Sequence, residues 1–206
     1  MLTKKDFYHN EARKNMKYTP KNKGSNASTK LLDHLKFKRG ATPEFRFVVL
    51  RDTREQLGWS FPDFDVKDTA LETGDYSIAF KLNGRLRKLD RIFVVERKAS
   101  ANEMLAMVGQ ERERWQRELA RLKKIVHPFI IVECSLQEFL EAAVQSGVNP
   151  TSAFGSVAAW TKYFPLIWAG NRTLAKEHFL VLARLFYKKY ILGHRRGKLD
   201  KGEKCV

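Results

Sequence analysis

Cysteine is nearly absent: of 206 residues only Cys134 and Cys205 carry thiols, and they lie far apart in the chain. That argues against a disulfide framework or a cysteine metal centre, and it suits a reduced, cytosolic interior, or a nuclear one in a eukaryote. Long apolar runs are missing as well. No stretch is long enough to cross a bilayer, and Met1-Leu2-Thr3-Lys4-Lys5-Asp6 lacks the apolar core of a secretory leader, while Asp6 and Glu11 argue against an organelle transit peptide. There is no internal repeat and no aromatic RNA-binding signature, which speaks against a basic RNA-binding module. Acid is the scarce charge. The 23 Asp/Glu face 39 Lys/Arg, for a net charge of +16 and a pI near 9.9, so the expected partner is a polyanion, either nucleic acid or an acidic membrane surface.

What is present is a balanced body with basic ends. Residues 1–44 hold eleven Lys/Arg against four Asp/Glu, and residues 184–206 hold eight against two, so residues 45–183 are almost neutral. With 43% hydrophobic residues the chain can bury one real core and is short for two. The expected organisation is a basic arm over 1–44, a folded domain over 45–192 and a basic tail over 193–206. The arm is polar and poor in apolar clusters, and it is expected to be flexible in isolation. It reads either as a solvated tail or as an arm laid along phosphates; Lys21, Lys23, Lys30, Lys36, Lys38 and Arg39 favour the second.

The folded part alternates strand and helix signals, which predicts an α/β fold with a central mixed sheet. Phe45 to Arg51 reads as a first strand and Phe64 to Leu71 as a short second one. Around Asn83-Gly84, a strong two-residue hairpin signal, lie Tyr76-Ser77-Ile78 on one side and Arg91-Ile92-Phe93-Val94-Val95 on the other, predicting two antiparallel strands. Ser100 is a plausible N-cap with Glu103 three positions on, opening one helix to about Lys124. Phe129 to Glu133 reads as a buried strand and Leu136 to Val144 as a helix. Asn149-Pro150 opens another helix to Tyr163, Pro165 to Gly170 is a last short strand, and Asn171 caps a helix to about Leu192.

The chemistry concentrates in Gly74 to Lys98. The predicted hairpin delivers Asp75, at the start of one strand, and Glu96, at the end of the other, to the same end of the ladder. Lys98, two residues on, shares the face of Glu96. Two carboxylates and a lysine make a place for a hard divalent cation beside a bound water or phosphate. Taken alone, Glu-Arg-Lys is an ordinary solvated run, and Asp52 alone is as readily a cap or an Asx turn.

Together, Asp52-Thr53-Arg54-Glu55, Gly74-Asp75-Tyr76 and Val95-Glu96-Arg97-Lys98 resemble, in this order, the nuclease domain of the XPF (xeroderma pigmentosum group F) type, within the restriction-endonuclease-like PD-(D/E)XK superfamily. Glu113-Arg114-Trp115-Gln116-Arg117-Glu118-Leu119 and Tyr163-Phe164-Pro165 extend the likeness, which covers about Phe45 to Ile191. The resemblance implies a restriction-endonuclease-like sheet flanked by helices. It also implies a metal-dependent DNA endonuclease acting on branched DNA (flaps, forks, junctions) in repair, recombination or replication. By the same resemblance Asp75 and Glu96 would hold Mg²⁺ or Mn²⁺ with the backbone carbonyl of Arg97, and Asp52 would be an additional ligand. Lys98 would orient or help deprotonate water, and Glu55 would be a supporting acid. Arg54 and Arg97 would either clamp phosphate or pair with acids of the site, and Arg195, Arg196 and Lys198 would bind nucleic acid. The alternative is a non-catalytic DNA-binding pseudo-nuclease subunit. Family domains pair through their later helices, so Phe154, Trp160, Phe179, Leu182, Phe186 and Tyr187 form either a homodimer or partner surface or part of the core. Two departures stand out: Asn102 occupies the place of a usual aspartate, and nothing after Leu192 resembles the helix-hairpin-helix domain that commonly accompanies the family.

Overall fold

A computed structural model of the chain describes residues 46–192, apart from Asn83. The predicted arm and tail, with Arg195, Arg196 and Lys198, lie outside the described residues. Among the described residues seven strands form one mixed sheet, flanked by helices on both faces. The strands are β1 (Phe47–Arg51), β2 (Val66–Asp68), β3 (Tyr76–Leu82), β4 (Arg85–Lys88), β5 (Phe93–Lys98), β6 (His127–Val132) and β7 (Leu166–Trp168). Their spatial order is β2-β1-β3-β5-β6-β7, with β4 paired to the far end of β3. β1 runs antiparallel to β3, and β3 antiparallel to β5, while β5, β6 and β7 run parallel. The α/β class and the mixed sheet expected from the sequence are therefore what the chain adopts.

The hairpin differs from its expected form. Leu82 pairs with Arg85, leaving two residues for the turn, with Gly84 at φ 74°; the return leg is β4, not β5. Leu89 then sinks into the core, and its carbonyl accepts the N–H groups of Ile92 (2.9 Å) and Phe93 (2.8 Å) in a turn that separates β4 from β5. Polar Asp90-Arg91 has no apolar alternation to hold a strand through this point, whereas Phe93-Val94-Val95 resumes one. The long helix expected over 100–124 is likewise two: α1 (Ala101–Val108) and α2 (Arg112–Leu122), broken at Gly109, whose φ of −107° and ψ of −106° leave the helical region. Glycine has little intrinsic preference for helix, and the break lets both short helices turn apolar residues onto the sheet: Met104, Leu105 and Met107 from the first, Trp115, Leu119 and Leu122 from the second.

The remaining helices are α3 (Leu136–Gln145), α4 (Pro150–Thr161) and α5 (Arg172–Tyr187), the last widening into a π turn over Lys188–Leu192. Ser135, Asn149 and Asn171 cap them through their side chains. α5 covers one sheet face with Phe179, Ala183 and Tyr187, against an aromatic cluster in which Trp59 stacks on Tyr76 at 4.5 Å and Phe93 on Phe186 at 4.6 Å. α1 to α4 cover part of the other face. Of the six residues read as surface or core, Phe179 and Tyr187 are buried and Trp160, Leu182 and Phe186 partly so, while Phe154 stays exposed.

Candidate active site

Strand alternation assigns every site residue to a face. Tyr76 pairs with Val95, and both point into the aromatic core under α5; one step on, Asp75 lies opposite Glu96 on the other face, and Lys98 follows Glu96 there. Gly74 makes this possible. Its φ is 75°, and a Cβ added to it would stand 2.0 Å from Val94 Cγ1, so only glycine lets the chain come this close to β5. Asp75 is then sewn in on three sides. Its N–H donates to Val95 O (2.9 Å), its carbonyl accepts Asp52 N–H (2.8 Å), and its Oδ2 accepts Arg97 N–H (2.7 Å).

Lys98 Nζ lies 2.6 Å from Glu96 Oε1 and 3.3 Å from Glu103 Oε1, and 4.7 Å from the centre of the Trp115 ring. Burial, and then the charge of Glu96, push the Asp75 carboxyl well above its usual range. Burial also raises Glu96 against the opposing pull of Lys98. Burial works to lower Lys98, but Glu96, Glu103 and Asp75 outweigh it and hold the ammonium above its ordinary range. Two repelling, desolvated carboxylates have the composition that Mg²⁺ takes from a protein when waters and a substrate phosphate complete its shell. Among the described residues no cluster of three or more His, Cys, Asp or Glu is arranged to hold a metal, so the fit rests on Asp75 and Glu96.

The other predicted site residues are near but differently employed. Asp52, 2% exposed, accepts four bonds: Arg54 N–H (2.8 Å), Arg54 Nε (2.7 Å), Arg54 Nη2 (3.1 Å) and Leu71 N–H (2.7 Å). Those contacts, against the opposing effect of burial, hold its carboxyl below the usual range. Its carboxylate therefore presents the largely exposed Arg54 guanidinium beside the acid face. Arg97 follows the alternation to the opposite face, 7% exposed, where Glu133 Oε1 accepts its Nε at 2.7 Å and Glu55 Oε1 its Nη1 at 3.2 Å. Of the two roles weighed for Arg97, pairing with acids is the one its geometry has. Asn102 is exposed in the first turn of α1, while Glu103, beside it, reaches both Ala99 N–H (2.8 Å) and Lys98.

Several neighbours carry no signal in the sequence. Glu133 Oε1 also accepts the Trp59 indole N–H (2.6 Å) and faces Arg172 (3.4 Å), whose Nη2 donates to Leu57 O and Gly58 O at 2.6 Å each. Glu118 accepts Thr73 Oγ1 at 2.5 Å just ahead of Gly74 and pairs with Arg121. Nothing local in the sequence marks Trp59 and Glu133 as partners. For Arg97 a signal does exist, since alternation through Glu96-Arg97-Lys98 already sends its side chain away from the other two.

A mixed sheet of this order sets paired acids and a lysine where its antiparallel and parallel halves meet. The chain is similar in structure to XPF from Aeropyrum pernix, with a TM-score of 0.44 and 20% identity over 77% of this chain and 65% of that one. It is also similar to XPF from Aeropyrum pernix in complex with DNA, with a TM-score of 0.46 and 22% identity over 71% of this chain and 68% of that one. The chain thus spans about two thirds of the length of these structures. No family model matches the sequence, and no curated protein does. A likeness of this degree says nothing of activity, which depends on the side chains of the site. No helix among the described residues is long and apolar enough to cross a membrane.

Proposed function

We propose that the protein is a metal-dependent DNA endonuclease, acting on branched DNA such as flaps, forks or junctions. The observation that carries the reading is the meeting of Asp75 and Glu96 from adjacent antiparallel strands, with Lys98 on the same face. Asp75 and Glu96 would hold Mg²⁺ or Mn²⁺, together with the main-chain carbonyl of Arg97. When bound, such an ion lowers the pKa of water and withdraws charge from a phosphoryl oxygen. Lys98, 2.6 Å from Glu96, supplies positive charge where the phosphorus accumulates negative charge and orients or helps deprotonate the attacking water. Arg54, oriented by the Asp52 carboxylate, is placed to meet a phosphate at the rim of the site. Asp52, Glu55 and Arg97 support the loop and strand that carry these groups.

The deciding experiment incubates the protein with end-labelled flaps, forks, junctions, plain duplex and single strands, with Mg²⁺, Mn²⁺ or EDTA. Cleavage is expected only with metal and preferentially on the branched forms. Asp75→Ala and Glu96→Ala should each abolish it while DNA binding persists. Binding without cleavage by the wild-type chain under every metal condition would sink the proposal in favour of a pseudo-nuclease subunit.

A further inference from the structure

The face that carries Asp75, Glu96 and Lys98 does not end with them. Register identifies what else stands on it: Leu50 pairs with Lys67, Ala79 with Lys88 and Lys81 with Leu86. Leu50, Ala79 and Leu86 pack together on the acid-bearing side. Their partners Lys67, Lys81 and Lys88 are all exposed, and none of the ion pairs among the described residues involves them. Lys88 Nζ donates only to Thr69 Oγ1, at 2.9 Å. α1 and α2 pack over β5 and β6, leaving this half of the face free of helices among the described residues.

Lysine on edge strands such as β2 and β4 also deters pairing with a second chain. That role does not depend on the face, because a charge on either side of the strand protects the edge. Here one lysine from each edge, and a third from β3 between them, share the side of the acid pair. Arg85 and Arg87, equally exposed, alternate to the opposite side of β4 and provide the comparison.

Resting on the nuclease reading above, we propose that Lys67, Lys81 and Lys88 form a phosphate track that grips one duplex arm of the DNA a few base pairs from the bond that is cut. Six residues of strand at about 3.3 Å each separate Asp75 from Lys81, roughly 20 Å, which matches about six base pairs at 3.4 Å per phosphate of one strand. Lys88, opposite Ala79, falls at about four. The track therefore grips the duplex side of a branch point and not the single strand, since single-strand binding relies on aromatic stacking platforms and, among the described residues, no aromatic side chain belongs to the cluster beside these lysines.

The test compares the full-length triple variant Lys67→Gln/Lys81→Gln/Lys88→Gln with Arg85→Gln/Arg87→Gln. Binding to a forked DNA with a 20-base-pair arm is measured in EDTA across salt concentration. Each lost phosphate contact should reduce the slope of log affinity against log salt by about 0.9, so the lysine triple should lose roughly 2–3 and the arginine pair little. Phosphate-ethylation interference on the wild type should map contacts about four to six base pairs into the arm. An unchanged slope in the triple, an equal fall in the arginine pair, or a fall on duplex RNA alone would each overturn the track. A wild-type chain that cuts nothing, with the slope falling as expected, would sink the nuclease reading and leave the track standing.

Discussion

At the residue scale, each motif position has one physical task, which makes its substitution predictable. Lys98→Met keeps the apolar stem beside Trp115 but removes the charge and leaves the buried Glu96 without its counter-ion, so the urea midpoint should fall and the rate is to be read on protein shown to be folded. Losing one preorganised electrostatic contact costs about 10²–10³ in rate. Single-turnover cleavage at saturating protein isolates that step, and a rate within a few-fold of wild type would return Lys98 to the status of a buried counter-ion. Gly74→Ala should act through the backbone instead. The positive φ alone costs on the order of 1–3 kcal/mol, and the Cβ would overlap Val94 Cγ1. The urea midpoint should fall, and cleavage should fall with it because Asp75 is next in the chain. A variant of wild-type stability would show that the turn relaxes freely.

At the element scale, what keeps the ends of β5 and β6 in register with the loop after β1 is the buried group of Glu133, Arg97 and Trp59, with the exposed Arg172 closing its edge. The Arg97 and Glu133 side chains are 6% and 8% exposed, so each charge depends on the other for compensation. Removing one partner of such a pair typically costs about 3–5 kcal/mol. Glu133→Ala should therefore unfold at distinctly lower urea, and Glu133→Leu with Arg97→Met should recover part of the loss, because Arg97 is then not left without Glu133, although Glu55, whose side chain is 10% exposed, loses its partner. If the double variant is as unstable as the single, the group contributes through shape and not through charge. This cluster lies beyond what local spacing can reveal. Glu96 and Lys98 share a face because strands alternate with period two, which is visible in the spacing, whereas Asp75 comes opposite Glu96 through the β3–β5 register and not through the expected hairpin. Trp59 and Glu133 are separated by 74 residues and meet only because β6 lies beside β5 and the loop after β1 folds across their ends.

At the scale of the whole molecule, two properties are measurable in solution. His127, at the start of β6, lies 2.7 Å from the Tyr190 hydroxyl and against Phe186, tying the sheet to the end of α5. Burial, then the charge of Lys189, lower its pKa from the ordinary value. The unfolded chain therefore binds the His127 proton more tightly than the folded one. The contribution to stability is complete above the unfolded value of about 6.5 and is lost as pH falls from there through the folded value. The urea midpoint should drop between pH 7.5 and 5.5, and His127→Gln should flatten that part of the profile; an unchanged profile would place the titration elsewhere. Second, thirteen of the sixteen net charges fall in residues 1–44 and 184–206. Deleting 1–40 and 194–206 should weaken DNA binding and reduce its salt dependence, since fewer counterions are released. An unchanged slope would make both ends passive.

The α/β class, most strand positions, the helix caps and the acid–acid–lysine set come from local rules: alternation, capping and turn chemistry act over a few residues and can be read along the chain. Three things depended on the assembled fold. Arg97 pairs behind the sheet because the buried carboxylate of Glu133, just past the end of β6, waits there. The helix expected over 100–124 breaks at Gly109, and each of the two short helices turns its own apolar residues onto the sheet. Lys67, Lys81 and Lys88, scattered over 22 positions, come onto one face only when β1, β3 and β4 pair in the register observed. Pairing register is set by which side of each strand the core takes, and that is a property of the packed layers, absent from any single strand.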